Sequence, residues 1–148
     1  MTAQDTAQDG ARDREFVVLP ADECRTLLAT RELGRIGLAG GAYPLILPVN
    51  YVLDGDAVVI RTDSPKITAA ADHTRVAFEV DDVDVTYEWG WSVLARGRAR
   101  AIEDPAEVAR AERLPLRSWG PGERRRFTAI ATTDLSGRRI GHHGLPQR

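Results

Sequence analysis

Asp54-Gly55 is the strongest hairpin signal in this chain of 148 residues. Asp-Gly readily takes the positive φ angles of a tight two-residue reversal, and apolar, β-prone runs flank it on both sides. Residues 44–53 form the first run. Residues 57–62 form the second, in which Val58 and Ile60 alternate with Val59 and Arg61. More strands follow the same pattern. Residues 35–39 precede a flexible Gly40-Gly41 turn, and Val76, Phe78 and Val80 alternate with Ala77, Glu79 and Asp81 as in a half-buried strand. An acidic loop (Asp81, Asp82, Asp84) leads through Glu88-Trp89-Gly90 into a long strand over residues 91–102. There Arg96, Arg98 and Arg100 share one face, with Glu79 and Asp81 of the neighbouring strand as expected partners, and Ala95, Gly97, Ala99 and Ala101 share the other. A final apolar strand spans residues 127–135, and Ser136-Gly137 breaks it before residues 138–140.

The helices are few and short. Residues 20–30 open with a proline and acidic residues and carry Cys24, Leu27 and Leu28 as an apolar stripe. Residues 64–72 begin with Ser64-Pro65, and Asp104-Pro105 starts a third helix that runs to residue 113. Five or six strands in antiparallel hairpins exclude a βαβ architecture. They predict a mainly β fold, a small closed or nearly closed β-barrel with a few short α-helices, whose closure removes exposed sheet edges.

The first 14 residues are polar and contain no apolar core of a signal peptide. They are expected to form a disordered N-terminal tail ahead of one domain over residues 15–148. No run reaches the roughly 20 apolar residues of a spanning helix, so no membrane association and a cytoplasmic location are expected. A single Cys excludes a disulfide framework or a Cys-based zinc site, and no metal site is expected. The net charge of −2 hides a division: residues 1–109 carry 11 basic and 19 acidic groups, and residues 110–148 carry 9 and 3. The basic end suits an anionic cofactor or pairs with the acidic body. Nucleic-acid binding requires basic residues interleaved with aromatics on a strand face, and only fragments of that pattern occur, so no nucleic-acid partner is expected.

The most suggestive segment is Arg61-Thr62-Asp63-Ser64-Pro65-Lys66, with two cations, two hydroxyls and a helix start at the end of a strand. That combination suits a phosphate, and an ordinary Ser-Pro helix cap with solvated basic neighbours fits it as well. Lys66 is the only lysine among 20 basic residues. Asn50, among apolar neighbours in Pro48-Val49-Asn50-Tyr51, either offers hydrogen bonds to the polar edge of a planar ring or faces water from an edge strand. Tyr87, Trp89, Trp91 and Trp119 could wall a pocket, anchor a dimer or pack in the core. The Arg124-Arg125-Arg126 and Arg138-Arg139 runs read as surface. No catalytic acid, base or nucleophile stands out: His73 and His142-His143 have no metal spacing, and Cys24 reads as an inert core thiol.

The ordered set Gly34-Arg35-Ile36-Gly37, Pro48-Val49-Asn50-Tyr51, Ile60-Arg61-Thr62 with Lys66, Val76-Ala77-Phe78-Glu79-Val80-Asp81 and Trp91-Ser92-Val93-Leu94 resembles the pyridoxamine 5′-phosphate oxidase-like family. The resemblance runs from about residue 20 to residue 140. It implies a Greek-key-like split β-barrel of the FMN-binding type and a homodimer with a cofactor at the subunit interface. Arg61 and Lys66 would hold the phosphate with help from Thr62 and Ser64. Val49 and Asn50 would border the isoalloxazine, and Trp91 and Ser92 would approach from near the dimer contact. The implied function is a flavin-dependent oxidoreductase that moves a hydride to or from a small-molecule substrate. A deazaflavin (F420)-dependent reductase and a non-catalytic flavin- or haem-binding dimeric module share the barrel.

Overall fold

A computed structural model describes residues 14–121 and 126–142, apart from the side chains of Arg14, His73 and His142. The eleven elements in order are β1 (Arg14–Leu19), α1 (Ala21–Leu28), β2 (Leu33–Leu38), β3 (Leu45–Asp54), β4 (Ala57–Arg61), α2 (Pro65–Ala70), β5 (Asp72–Asp84), β6 (Trp89–Ile102), α3 (Pro105–Glu112), β7 (Phe127–Ala131) and β8 (Asp134–His142). All strand pairs are antiparallel. The sheet order is β1-β8-β6-β5-β2-β3-β4-β7, and β7 also pairs with β6, which closes six strands into a barrel.

β6 makes the closure possible because it changes partners along its length. Gly90 through Arg96 pair with β8, and Ala99 through Ile102 pair with β7, while β5 follows on its other side. Gly97 sits at the changeover. A Cβ there would stand 1.9 Å from the Ala131 carbonyl oxygen, so only glycine lets β7 pass this close. The expected small-residue face is real at Ala95 and Ala99, both fully buried.

Alternation sorts the side chains. Ile36, Tyr51, Val58, Ile60, Phe78, Val80 and Val93 fill the barrel with Trp91, and α1 adds Cys24 and Leu28 while α2 adds Ile67. Burial pushes the Cys24 thiol pKa up, as suits an inert core group. Tyr51 meets Phe78 edge to face at 4.9 Å, and its hydroxyl donates to the Leu28 carbonyl. β4 is buried on both faces, because Val59 points outward into a second cluster with Ile102, Phe127, Ala129 and Ala111 of α3.

The structure differs from the sequence reading in four places. β1 adds a strand, and Arg14, assigned to the tail, opens it; residues 1–13 lie outside the described residues. The acidic segment is not a loop: β5 runs through Asp84, and the chain reverses over residues 85–88, where the Asp84 carboxylate accepts the Thr86 and Tyr87 amides. The last apolar run breaks between β7 and β8 at Thr132 and Thr133, not at Ser136-Gly137, because Gly137 lies inside β8 opposite Val93 and Leu19. Two of the β6 arginines pair with partners other than Glu79 and Asp81. Arg96 reaches Asp134 at 2.9 Å and Arg100 reaches Glu107, while Arg35 of β2 takes both β5 carboxylates. Among the described residues no helix is long and apolar enough to cross a membrane. Arg124, Arg125 and His143 lie outside the described residues.

Candidate functional site

The site begins where β4 ends. Its β-branched run stops at Arg61, and the Thr62 amide donates to the Arg126 carbonyl at 2.8 Å, carrying the pairing one residue further. The chain then turns on the Thr62 hydroxyl, which accepts the Ser64 amide at 3.0 Å. This is the local side-chain-to-backbone bond by which hydroxyl residues make turns. Pro65 starts α2, and the Ser64 carbonyl accepts both the amide and the hydroxyl of Thr68 at 2.9 Å.

That turn sorts the four expected phosphate residues. Thr62 is 1% exposed, and its hydroxyl is engaged in shaping the turn. Ser64 is half-buried and its side chain makes no capping bond, and Lys66 is exposed. The Arg61 guanidinium lies 5.0 Å from the Phe127 ring centroid, a cation–π contact that fixes its direction. α2 has only six residues, so the side-chain cations outweigh its short dipole.

Val49 and Asn50 belong to β3, which β4 covers only over residues 51–54. That bare edge is what admits Pro48. Val49 points inward against the core. Asn50 points outward, and it is held by the protein and does not simply face water. Its Nδ2 donates to the Glu32 carbonyl at 3.3 Å, and its Oδ1 accepts the Trp119 amide at 2.9 Å. The sequence reading missed this tie, since no local pattern connects residues 69 positions apart.

Trp91 and Ser92 face opposite sides of β6. Trp91 is 5% exposed, and Arg31, which pairs with Asp82, stands 5.6 Å from its ring centroid. Ser92 faces outward, level with Asp81 on β5 and Arg138 on β8. With β2 and β5 between them, Asn50 and Ser92 are three strand spacings apart, about 14 Å. The two groups therefore border one outer face from opposite ends. A groove of about 580 Å³ opens at the Ser92 end, lined by Phe16, Val83, Trp89, Trp91, Ser92 and Ile140 among others. Tyr87 and Trp119 are exposed and lie outside the core.

Between the two ends sits an acidic pair. Arg35 Nη1 lies 3.3 Å from Glu79 Oε2 and 3.6 Å from Asp81 Oδ1, so one guanidinium nitrogen serves two carboxylates. Burial, and then the Asp81 charge, raise the Glu79 pKa from its ordinary value, with Arg35 pulling it back.

Known proteins share this fold. The family model described as pyridoxamine 5′-phosphate oxidase matches residues 20–139. An uncharacterized protein of Mycobacterium tuberculosis is 38% identical over 112 residues, which are 72% of this chain and 73% of the relative. The solved structure of the FAD binding protein from Mycobacterium smegmatis superposes with a TM-score of 0.70 and 37% identity, covering 83% of this chain and 98% of that one. A conserved protein of unknown function from Corynebacterium diphtheriae gives 0.71 and 30% identity, with coverages of 83% and 96%. With a family model spanning every element from α1 into β8 and a barrel shared at these identities, the chain belongs to the pyridoxamine 5′-phosphate oxidase family.

Proposed function

We propose that this chain is a flavin-dependent oxidoreductase that holds FMN on the outer face between the Arg61–Lys66 turn and the Ser92 groove, as a homodimer. The carrying observation is the turn itself: Arg61, Ser64 and Lys66 reach the surface together on a barrel whose Mycobacterium smegmatis relative is an FAD binding protein. The residues fit a phosphorylated planar cofactor. Arg61 is already aimed by Phe127, Lys66 adds a compact charge, and the Ser64 hydroxyl has no capping bond to surrender. Asn50 borders the ring through a side chain held at both ends, with Val49 packed beneath it. Thr62 acts through the turn it holds.

A bound flavin supplies hydride transfer at its ring. The chain's own contribution is position, an apolar wall from Trp89 and Ile140, and the Glu79–Asp81 pair that Arg35 holds on the same face. The homodimer is supported by apolar side chains left open on the β1-β8-β6-β5 face: Phe16, Val18, Val83 and Val85 are 59%, 73%, 62% and 85% exposed. Contiguous apolar surface of this kind marks an interaction site.

Cofactor released from the purified protein tests the reading. Mass and visible spectrum are expected to identify FMN, and FAD would extend the same phosphate site toward an adenine. Arg61→Ala with Lys66→Ala is expected to weaken flavin binding at least tenfold, about 1.4 kcal/mol or more, with the circular dichroism spectrum unchanged. Unchanged retention overturns the phosphate assignment. A protein that takes only F420 or haem overturns the flavin reading.

A further inference from the structure

After α3, Leu114 and Leu116 join the second cluster together with Val52 of β3. The Trp119 amide then donates to Asn50 Oδ1 at 2.9 Å. Val52 and Asn50 are successive outward positions of β3, so residues 114–119 form a strap along the outer face of that strand. The chain is tied again at Arg126, whose carbonyl accepts the Thr62 amide at 2.8 Å.

The end of the strap is unlike its start. Trp119 is 60% exposed and packs in neither cluster, although its backbone is held. On one flank of Asn50, its ladder partner Leu33 of β2 is 40% exposed. On the other flank the β3–β4 ladder ends at Tyr51 with Ile60, so Asn50 and Arg61 each lie one residue past it, on the outer face. Trp119 is therefore tied to a residue with apolar surface on one side and a cation on the other. Tryptophan carries a large flat face with few torsions to freeze. An indole whose backbone is fixed and whose ring is unpacked offers that face to a planar ligand.

We propose that Trp119 is the platform on which the planar ring of the cofactor stacks, and that Asn50 is the residue that positions it. The inference rests on the flavin reading and extends it to a segment remote in sequence from the rest of the site. An electron-rich indole suits an oxidised isoalloxazine, which is electron-poor, and contact between them quenches the fluorescence of the flavin. Asn50 acts through its Oδ1: without that acceptor the Trp119 amide loses its partner, and the strap keeps only its two packed leucines. A protein–protein contact centred here fits less well, because one indole and Leu33 offer far less apolar area than a stable interface needs.

FMN and riboflavin are the probes, titrated into the full chain freed of bound cofactor and read by affinity and by the fluorescence of the flavin. Wild type is expected to quench both. Trp119→Leu is expected to bind each about tenfold more weakly and to leave the bound flavin brighter, with Trp119→Phe between the two. By contrast, Arg61→Ala with Lys66→Ala is expected to weaken FMN and spare riboflavin, which has no phosphate. Asn50→Ala is expected to reproduce the loss of quenching, and to cost less affinity in the Trp119→Leu background than in wild type. If wild type and Trp119→Leu bind and quench FMN equally, the platform is overturned and the flavin reading stands. An equal cost of Asn50→Ala in both backgrounds overturns the positioning role. Weaker binding by Trp119→Leu that comes with conversion of a dimer to a monomer in sedimentation makes Trp119 a subunit contact and overturns the proposal. A wild type that takes up neither flavin overturns the flavin reading and this inference with it.

Discussion

Thr62 and Ser64 are two residues apart and equally polar, yet the fold gives them different work. The Thr62 hydroxyl is spent on the turn, and the Ser64 side chain makes no capping bond. The residue types announced a polar turn, and only the bond between them says which side chain is turned outward. Gly97 and Gly37 divide in the same way: a Cβ at Gly97 would collide with the Ala131 carbonyl, and one at Gly37 would meet only ordinary contact. Gly97→Ala drives a Cβ into the Ala131 carbonyl and is expected to cost about 1–3 kcal/mol, read as a lower midpoint in urea unfolding. Glu79 has a pH signature. Its carboxyl pKa is raised in the folded state, first by burial, so its protonation favours folding. That contribution is fully present below the usual glutamate value of about 4.3 and is lost as pH rises through the raised value. Glu79→Gln removes the loss, so the stability of the variant relative to wild type is expected to grow with pH across that window. Denaturant unfolding at a series of pH values checks it, and a constant difference contradicts it.

The elements legible in the sequence are those whose signals are local. Asp54-Gly55 sits between β3 and β4 as expected, and the three helices begin at Pro20-Ala21, Ser64-Pro65 and Asp104-Pro105. β1 was missed because its residues carry no turn signal and gain their place only from pairing with β8, more than 100 positions away. The acidic end of β5 read as a loop because Asp is a poor strand former, and the structure overrides that preference with a ladder to β6 that runs as far as Asp84 and Trp89. α3 offers an isolated test of local chemistry. Asp104 accepts the Glu107 amide at 3.1 Å as N-cap. Asp104→Ala is expected to cost about 1 kcal/mol, and hydrogen exchange is expected to rise in α3 before it rises in the barrel strands. A uniform rise would mean that α3 and the barrel open as one unit.

The whole molecule is a closed six-strand barrel with β8 and β1 added as a wing. On the outer side of that wing Phe16 and Ile140 are level, and Gly90 puts Val83 on the same rung. If two copies meet there, Phe16→Glu with Val83→Glu is expected to turn a dimer into a monomer in sedimentation. A monomeric wild type refutes the homodimer, and a variant that stays dimeric moves the contact to another face. Residue identities by themselves determined the mainly β class, the hairpin, the helix starts and the polar turn at residues 61–66, because those follow from backbone preference and neighbours within a few positions. They did not determine that Thr62 is buried, that Asn50 is tied to Trp119, or that Trp91 and Ser92 face apart. These depend on the register between distant strands, which a one-residue slip would invert, and only the barrel's closure through the partner change at Gly97 sets it.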